Sequence, residues 1–294
     1  MAETQPAGAI YDLGYQRYTG ERLGRGYVFR TLLRFSFRSA FGLGRGEKAK
    51  TLPVLVVAIV YLPAMIQIGV ASASGMTNFI HYANHLEFTA FLLALFAAAQ
   101  APELIVTDRQ QGILSLYLSR PLRATDYALA KLAALTGAML VLTLGPQLML
   151  FLGRIFISDK PWPTFVAEWP KLVPIVGGTV MVSLFFAAIG LALSSLASRR
   201  GYASAAVIAF FLLTAAMSAM IRAVAFGSLK RYAVLANPSS LVVGFTNWLF
   251  EIEALRRSAV GRADLPGTLY LYVMLGVTAL AIALLLARYR RGEA

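Results

Sequence analysis

TDRQQGILSLYLSRPLRATDYALAK, residues 107–131, joins two long apolar runs and combines charges, a proline and a leucine-rich stretch. Thr107 with Gln110 fits a capping box, and Asp108 falls in a first turn, where the helix dipole favours negative charge. A helix is therefore predicted to start at Thr107. Along it Ile113, Leu114, Leu116, Tyr117 and Leu118 sweep a broad apolar arc, while Gln111, Gly112, Ser115 and Ser119 form a narrow polar strip. Such a helix lies flat in an interface and does not cross it. Pro121 stops it, Thr125 with Asp126 caps the next helix, and Lys131 stands where its ammonium can snorkel to headgroups. The result is a short lever clamped at both ends to the flanking runs.

Those runs belong to a membrane. Of the 294 residues 58% are hydrophobic and only 14% charged, and the mean hydropathy is +0.67, values that place the chain in the integral-membrane class. Six segments have the roughly 20 apolar residues needed to cross about 30 Å of hydrocarbon: Leu52–Ala71, Phe88–Val106, Tyr127–Leu152, Leu172–Ala197, Tyr202–Ile221 and Leu269–Ala287. All are expected to be helices, because a lipid-exposed backbone must satisfy its own hydrogen bonds and the alternation of barrel strands is missing. The fold class is all-α integral membrane. Residues 1–51 form an arm, 52–294 a six-span domain, and about 225–266 an insertion between the fifth and sixth spans.

The formal net charge of +13 raises the question of nucleic acid. Eighteen of the 27 Lys and Arg residues fall in the N-terminal segment, the 107–131 connection, the turn at Arg199 and Arg200, and the tail. These would share one face, and the first opposite connection, Ser72–Leu86, has none. By the positive-inside rule both termini are expected in the cytoplasm, with the excess charge facing anionic lipid. No nucleic-acid partner is expected. The first 50 residues lack an apolar core and a small-residue cleavage site, so the first span is expected to act as insertion signal.

Two further helices are predicted outside the spans. In YVFRTLLRFSFRSAF (27–41), Phe29, Leu33, Phe37 and Phe41 form one ridge and Arg30, Arg34 and Arg38 the next. This reads as a basic amphipathic helix in the headgroup plane with its rings in the acyl boundary. Near the other terminus NPSS signals a helix start, followed at helical spacing by Leu241, Phe245, Trp248, Leu249, Ile252 and Leu255. That external helix either closes the bundle or gates a substrate path, with Phe245, Trp248 and Leu249 as the gate.

Chemistry-bearing motifs are few. There is no GxxxxGK[ST] loop, hence no nucleotide cradle of the P-loop kind. His81 and His85 in HYANH have the spacing of zinc proteases, but the Glu of HExxH is missing, and they read as interfacial histidines of an external loop. No metal site and no catalytic group is expected, and cysteine is absent. Glu103, one residue after Pro102, is expected to bond the neighbouring span or the 107–131 segment, with ion or proton coupling as the alternative. Gln67, Gln100 and Gln147 fit interhelical hydrogen bonding.

The run DRQQGILSLYLSRPLRATDYALAK resembles the segment between the second and third spans of type-2 ABC exporter permeases. Asp108, Arg109, Gly112, Leu114, Pro121, Arg123 and Lys131 match that pattern by position, while Ile113 and Ala130 depart from it. The resemblance extends to the amphipathic helix, the six spans and the external helix. It implies a half-transporter without catalysis of its own, paired with a second copy or a paralogue and with two copies of a separate ATPase that holds ATP and Mg. It further implies that Asp108, Arg109, Gly112, Leu114, Leu116, Pro121 and Arg123 couple to that ATPase, with Glu103 and Lys131 in support. A stand-alone secondary transporter is the competing reading.

Overall fold

The computed structural model describes residues 23–75, 82–113, 122–252 and 258–290. Every regular element among these is a helix. Six are long and apolar enough to cross a membrane: Glu47–Ser74, Tyr82–Gln110, Ala124–Ile157, Pro161–Leu196, Arg200–Val224 and Gly267–Arg290. They are called the first to sixth spans below. The fourth reaches its crossing helix, Leu172–Leu196, through a short helix Pro161–Glu168 and a tight turn at Trp169–Lys171. Five of the six overrun their expected limits at both ends, and the fourth stops at Leu196, one residue short of the expected Ala197; flanking Glu, Lys, Arg and Gln are good helix formers once nucleation is complete.

The second span is the axis of the bundle. Leu93, Phe96, Ala97, Ala101 and Ile105 are fully buried along it. Its close neighbour is the fourth span, where small residues let two backbones approach without a hydrophobic driving force. A Cβ placed on Gly190 would stand 3.0 Å from the Ala97 Cβ and 3.3 Å from that of Ala101. Hydroxyls tie the remaining faces: Thr143 and Ser183 meet at 3.0 Å between the third and fourth spans, and the Tyr61 hydroxyl donates to the Val141 carbonyl at 2.7 Å between the first and third. The fifth span is peripheral, with Leu212, Leu213, Met217 and Met220 exposed where lipid would cover them.

Contacts define two ends. At the near end meet the N-terminal helix Arg25–Ala40, the stop of the second span, the start of the third and the stop of the sixth. At the far end Tyr82 of the second span, Arg154 of the third and Lys171 before the fourth gather around Glu168. The helix Pro238–Leu249 also lies there, opened by Asn237, whose Oδ1 accepts from the Ser239 amide at 3.1 Å.

Several sequence expectations change. The N-terminal helix forms, and its ring ridge lies half-buried against the protein. Phe29 packs against Tyr127 and Leu122, and Phe37 and Phe41 pack on the main core, with Phe41 and Phe96 rings 6.1 Å apart. The Phe37 ring faces Gly137 of the third span, and Arg30, Arg34 and Arg38 stay exposed while Leu33 is half-buried. The far-end helix stops at Leu249, short of the expected Ile252 and Leu255, because Glu251 takes a left-handed conformation with φ 55°. Leu255 itself, like Arg256 and Arg257, lies outside the described residues. His85 belongs to the second span, not to a loop: the helix starts at Tyr82, and the ring is buried with neither nitrogen hydrogen-bonded to a described residue. His81 lies outside the described residues.

Candidate functional site

The near end is built around the last two turns of the second span. Asp108 accepts from the Lys131 ammonium at 2.7 Å and from the Tyr127 hydroxyl at 2.9 Å, both on the third span. Lys131 is 1% exposed and its Nζ also lies 5.3 Å from the centre of the Tyr127 ring. The expectation that this lysine snorkels to headgroups is therefore corrected. It is held inside by a carboxylate on the adjoining helix, since a buried ammonium must be paired or neutralised. The Tyr127 ring in turn lies 5.3 Å from that of Tyr289 on the sixth span.

Arg109, one residue on, points the other way. Its guanidinium donates to the carbonyls of Ser195, at 3.3 Å, and Ala197, while Gln110 donates to Ser198 at 3.2 Å. These carbonyls lie at the C-terminal end of the fourth span, where unpaired acceptors and the helix dipole favour a cation. Glu103, a turn and a half earlier and buried, forms ion pairs with Arg45 of the linker before the first span and with Arg200 at the start of the fifth. The 107–131 segment supplies none of its partners among the described residues. Arg25 of the N-terminal helix grips Asp126 at 2.7 and 2.5 Å, a two-pronged contact of the kind planar guanidinium favours.

The helix expected to begin at Thr107 does not. The second span runs unbroken through Gln110, so Thr107 and Gln110 form no capping box, and the Thr107 hydroxyl is buried without a described partner. What ends the span is Gly112, in the left-handed region at φ 66°. Leu114, Leu116 and Pro121 lie outside the described residues. The third span is capped by Asp126, which accepts the Arg123 amide at 3.1 Å; Arg123 is the N-cap residue and Thr125 lies inside the first turn.

At the far end the three gate candidates are pinned. Phe245 is buried, Trp248 lies against Gly267 at the start of the sixth span, and a Cβ on Gly178 of the fourth span would stand 2.7 Å from Leu249. The Thr246 hydroxyl donates to Glu87 of the second span at 3.3 Å. Sequence reading missed Glu87 because the span was started at Phe88, six residues after the helix begins at Tyr82, and it missed Arg25, Arg45 and Arg200 because their carboxylates are remote in the chain. Gln147 does make the interhelical bond expected of it, donating to the Tyr82 carbonyl at 2.8 Å.

Chemically, the near end resists change in position. The stop of the second span is fixed to the third span by a buried ion pair, to the fourth by carbonyl capping, and to the fifth through Glu103. A displacement of the connection after Gly112 would therefore be felt by several spans together. No group of three or more His, Cys, Asp or Glu side chains suited to a metal ion occurs among the described residues. No curated protein matches the chain at a significant level. A family model described as ABC-2 family transporter protein matches residues 27–294.

Proposed function

The chain belongs to the ABC-2 family of transporter proteins, and from that premise we propose that it is the permease subunit of an ATP-driven exporter whose connection after the second span docks on a separate ATPase. Membership makes it a multi-pass membrane transport component, not a catalyst. The finer reading adds two ATPase copies that carry ATP and Mg, a second permease copy or paralogue to complete the path, and both termini in the bacterial cytoplasm. Residues 107–131 form the coupling segment, the N-terminal helix lies at the membrane surface with Arg30, Arg34 and Arg38 toward headgroups, and Phe245, Trp248 and Leu249 border the path at the far end.

The observation that carries this reading is the union of both flanks of the connection by the buried Asp108–Lys131 pair. A helix pushed by a nucleotide-driven partner must hand its motion to spans that cannot slip past one another, and an ion pair this well buried opposes slip strongly. The bonds from Arg109 to the fourth span extend the same unit.

Gly112 offers the cleanest test. Its backbone is left-handed and open space lies where a Cβ would be, so Gly112→Asn, which tolerates that conformation, should leave assembly intact. Gly112→Glu adds both strain and negative charge at the start of the docking segment. Affinity purification from native membranes should recover an ATPase with the parent chain and with Gly112→Asn, but at least fivefold less with Gly112→Glu, at unchanged membrane insertion. Equal recovery with all three chains, or none with the parent, would overturn the reading.

A further inference from the structure

The far end carries cations that topology does not explain, and they fall into two kinds. Arg154 and Lys171 share the buried carboxylate of Glu168, at 3.2 and 2.7 Å. Arg222, Lys230, Arg231 and Arg262 instead converge on a pocket of about 340 Å³ whose remaining walls are four alanines. No described carboxylate comes within 4.0 Å of any of these four.

The three arginines are nonetheless held. Arg222 donates from Nε to the Ser218 carbonyl at 3.2 Å, and Arg262 from Nε to the Ser258 carbonyl at 3.3 Å. Arg231 donates to the carbonyls of Ala263, at 3.0 Å, and Asp264, at 2.7 Å. Even Asp264, the nearest acid in sequence, offers its backbone and not its carboxylate. Carbonyl dipoles orient a guanidinium without neutralising it, so the pocket gathers four like charges brought together from the end of the fifth span and from the short helices Gly227–Tyr232 and Ala259–Ala263. That arrangement costs energy until an anion enters, and oriented guanidinium is suited above all to phosphate oxygens.

The same segment carries a large exposed apolar surface. Met220, Val224, Phe226 and Leu229 are 70%, 67%, 91% and 61% exposed. Large apolar side chains in such number beside a basic pocket match the boundary between acyl chains and headgroups, where basic groups meet anionic lipid. The alanine walls leave a volume fit for a small headgroup.

We propose that this pocket binds the phosphate of an anionic phospholipid, with the acyl chains against the apolar residues around it. The full chain in zwitterionic nanodiscs can be titrated with short-chain phosphatidylglycerol, with phosphatidylcholine and inorganic phosphate in parallel arms. Phosphatidylglycerol should bind at least tenfold more tightly than either. The Lys230→Gln/Arg262→Gln variant should lose at least tenfold in that affinity and Lys230→Gln alone about threefold. Lys171→Gln, in the cluster paired with Glu168, should stay within twofold of the parent. Equal phosphatidylglycerol binding by the parent and the double variant would overturn the site. Inorganic phosphate binding as tightly as the lipid would overturn the lipid assignment.

Discussion

Lys131 and Lys230 are the same side chain in opposite predicaments. Lys131 is buried at the near end and fixed on Asp108; Lys230 is exposed at the far end among three arginines with no described carboxylate in reach. Burial accounts for the difference. A charge withdrawn from water must find its counter-charge within the protein, whereas one left in solvent can tolerate like neighbours. The near end therefore has charges that serve the fold, and the far end has charges that the fold leaves available. If that contrast is right, variants at the two ends should separate by the size of their effect on stability.

The largest effect is expected at the buried pair. Among the described residues Lys131→Met leaves Asp108 with only the Tyr127 hydroxyl, and removing one partner of a buried ion pair costs about 3–5 kcal/mol. Denaturant unfolding of the purified chain in detergent should show that loss. The double variant Asp108→Asn/Lys131→Met should recover most of it, since an uncharged pair leaves no ion stranded. A Lys131→Met protein within 1 kcal/mol of the parent would break the contrast at its stronger pole.

Glu103 should fall between. Glu103→Gln keeps an acceptor but strips the counter-charge from Arg45 and Arg200, whose side chains are 28% and 56% exposed. Water can take over part of the lost interaction, so about 1–2 kcal/mol is expected in the same assay. A loss as large as that of Lys131→Met would mean that exposure of the partners does not grade these contacts.

The same physics marks what the chain discloses in sequence. Six spans were legible because hydrocarbon thickness imposes a length and backbone satisfaction imposes the helix. The NPSS start was legible because a cap is local, residue against residue. The Thr107 capping box failed although its letters were present: the second span was already propagating, and Asp108 had a better use on Lys131 than in a first turn. The packing of Phe29 near Tyr127 and of Phe37 and Phe41 on the main core depended on surfaces formed by residues remote in the chain. Periodicity shows that a face is apolar but not whether lipid or protein covers it. Pairings such as Arg25 with Asp126 leave no local trace, and the left-handed Glu251 that ends the far helix has none of the glycine that would announce it.

The smallest effect, and the sharpest for the contrast, belongs to Lys230. It makes no hydrogen bond or ion pair with a described residue, so Lys230→Gln removes only repulsion from Arg222, Arg231 and Arg262. Stability should move by no more than about 0.5 kcal/mol, toward greater stability at low salt, with the difference fading as ionic strength shortens the Debye length from about 30 Å at 0.01 M to 3 Å at 1 M. A stabilisation that survives high salt would point to a packing change, and a loss of stability would mean that Lys230 has a partner in the fold. A small gain that salt removes is the signature of like charges held close by carbonyls and left without an anion, the condition in which a pocket of this kind would take one up.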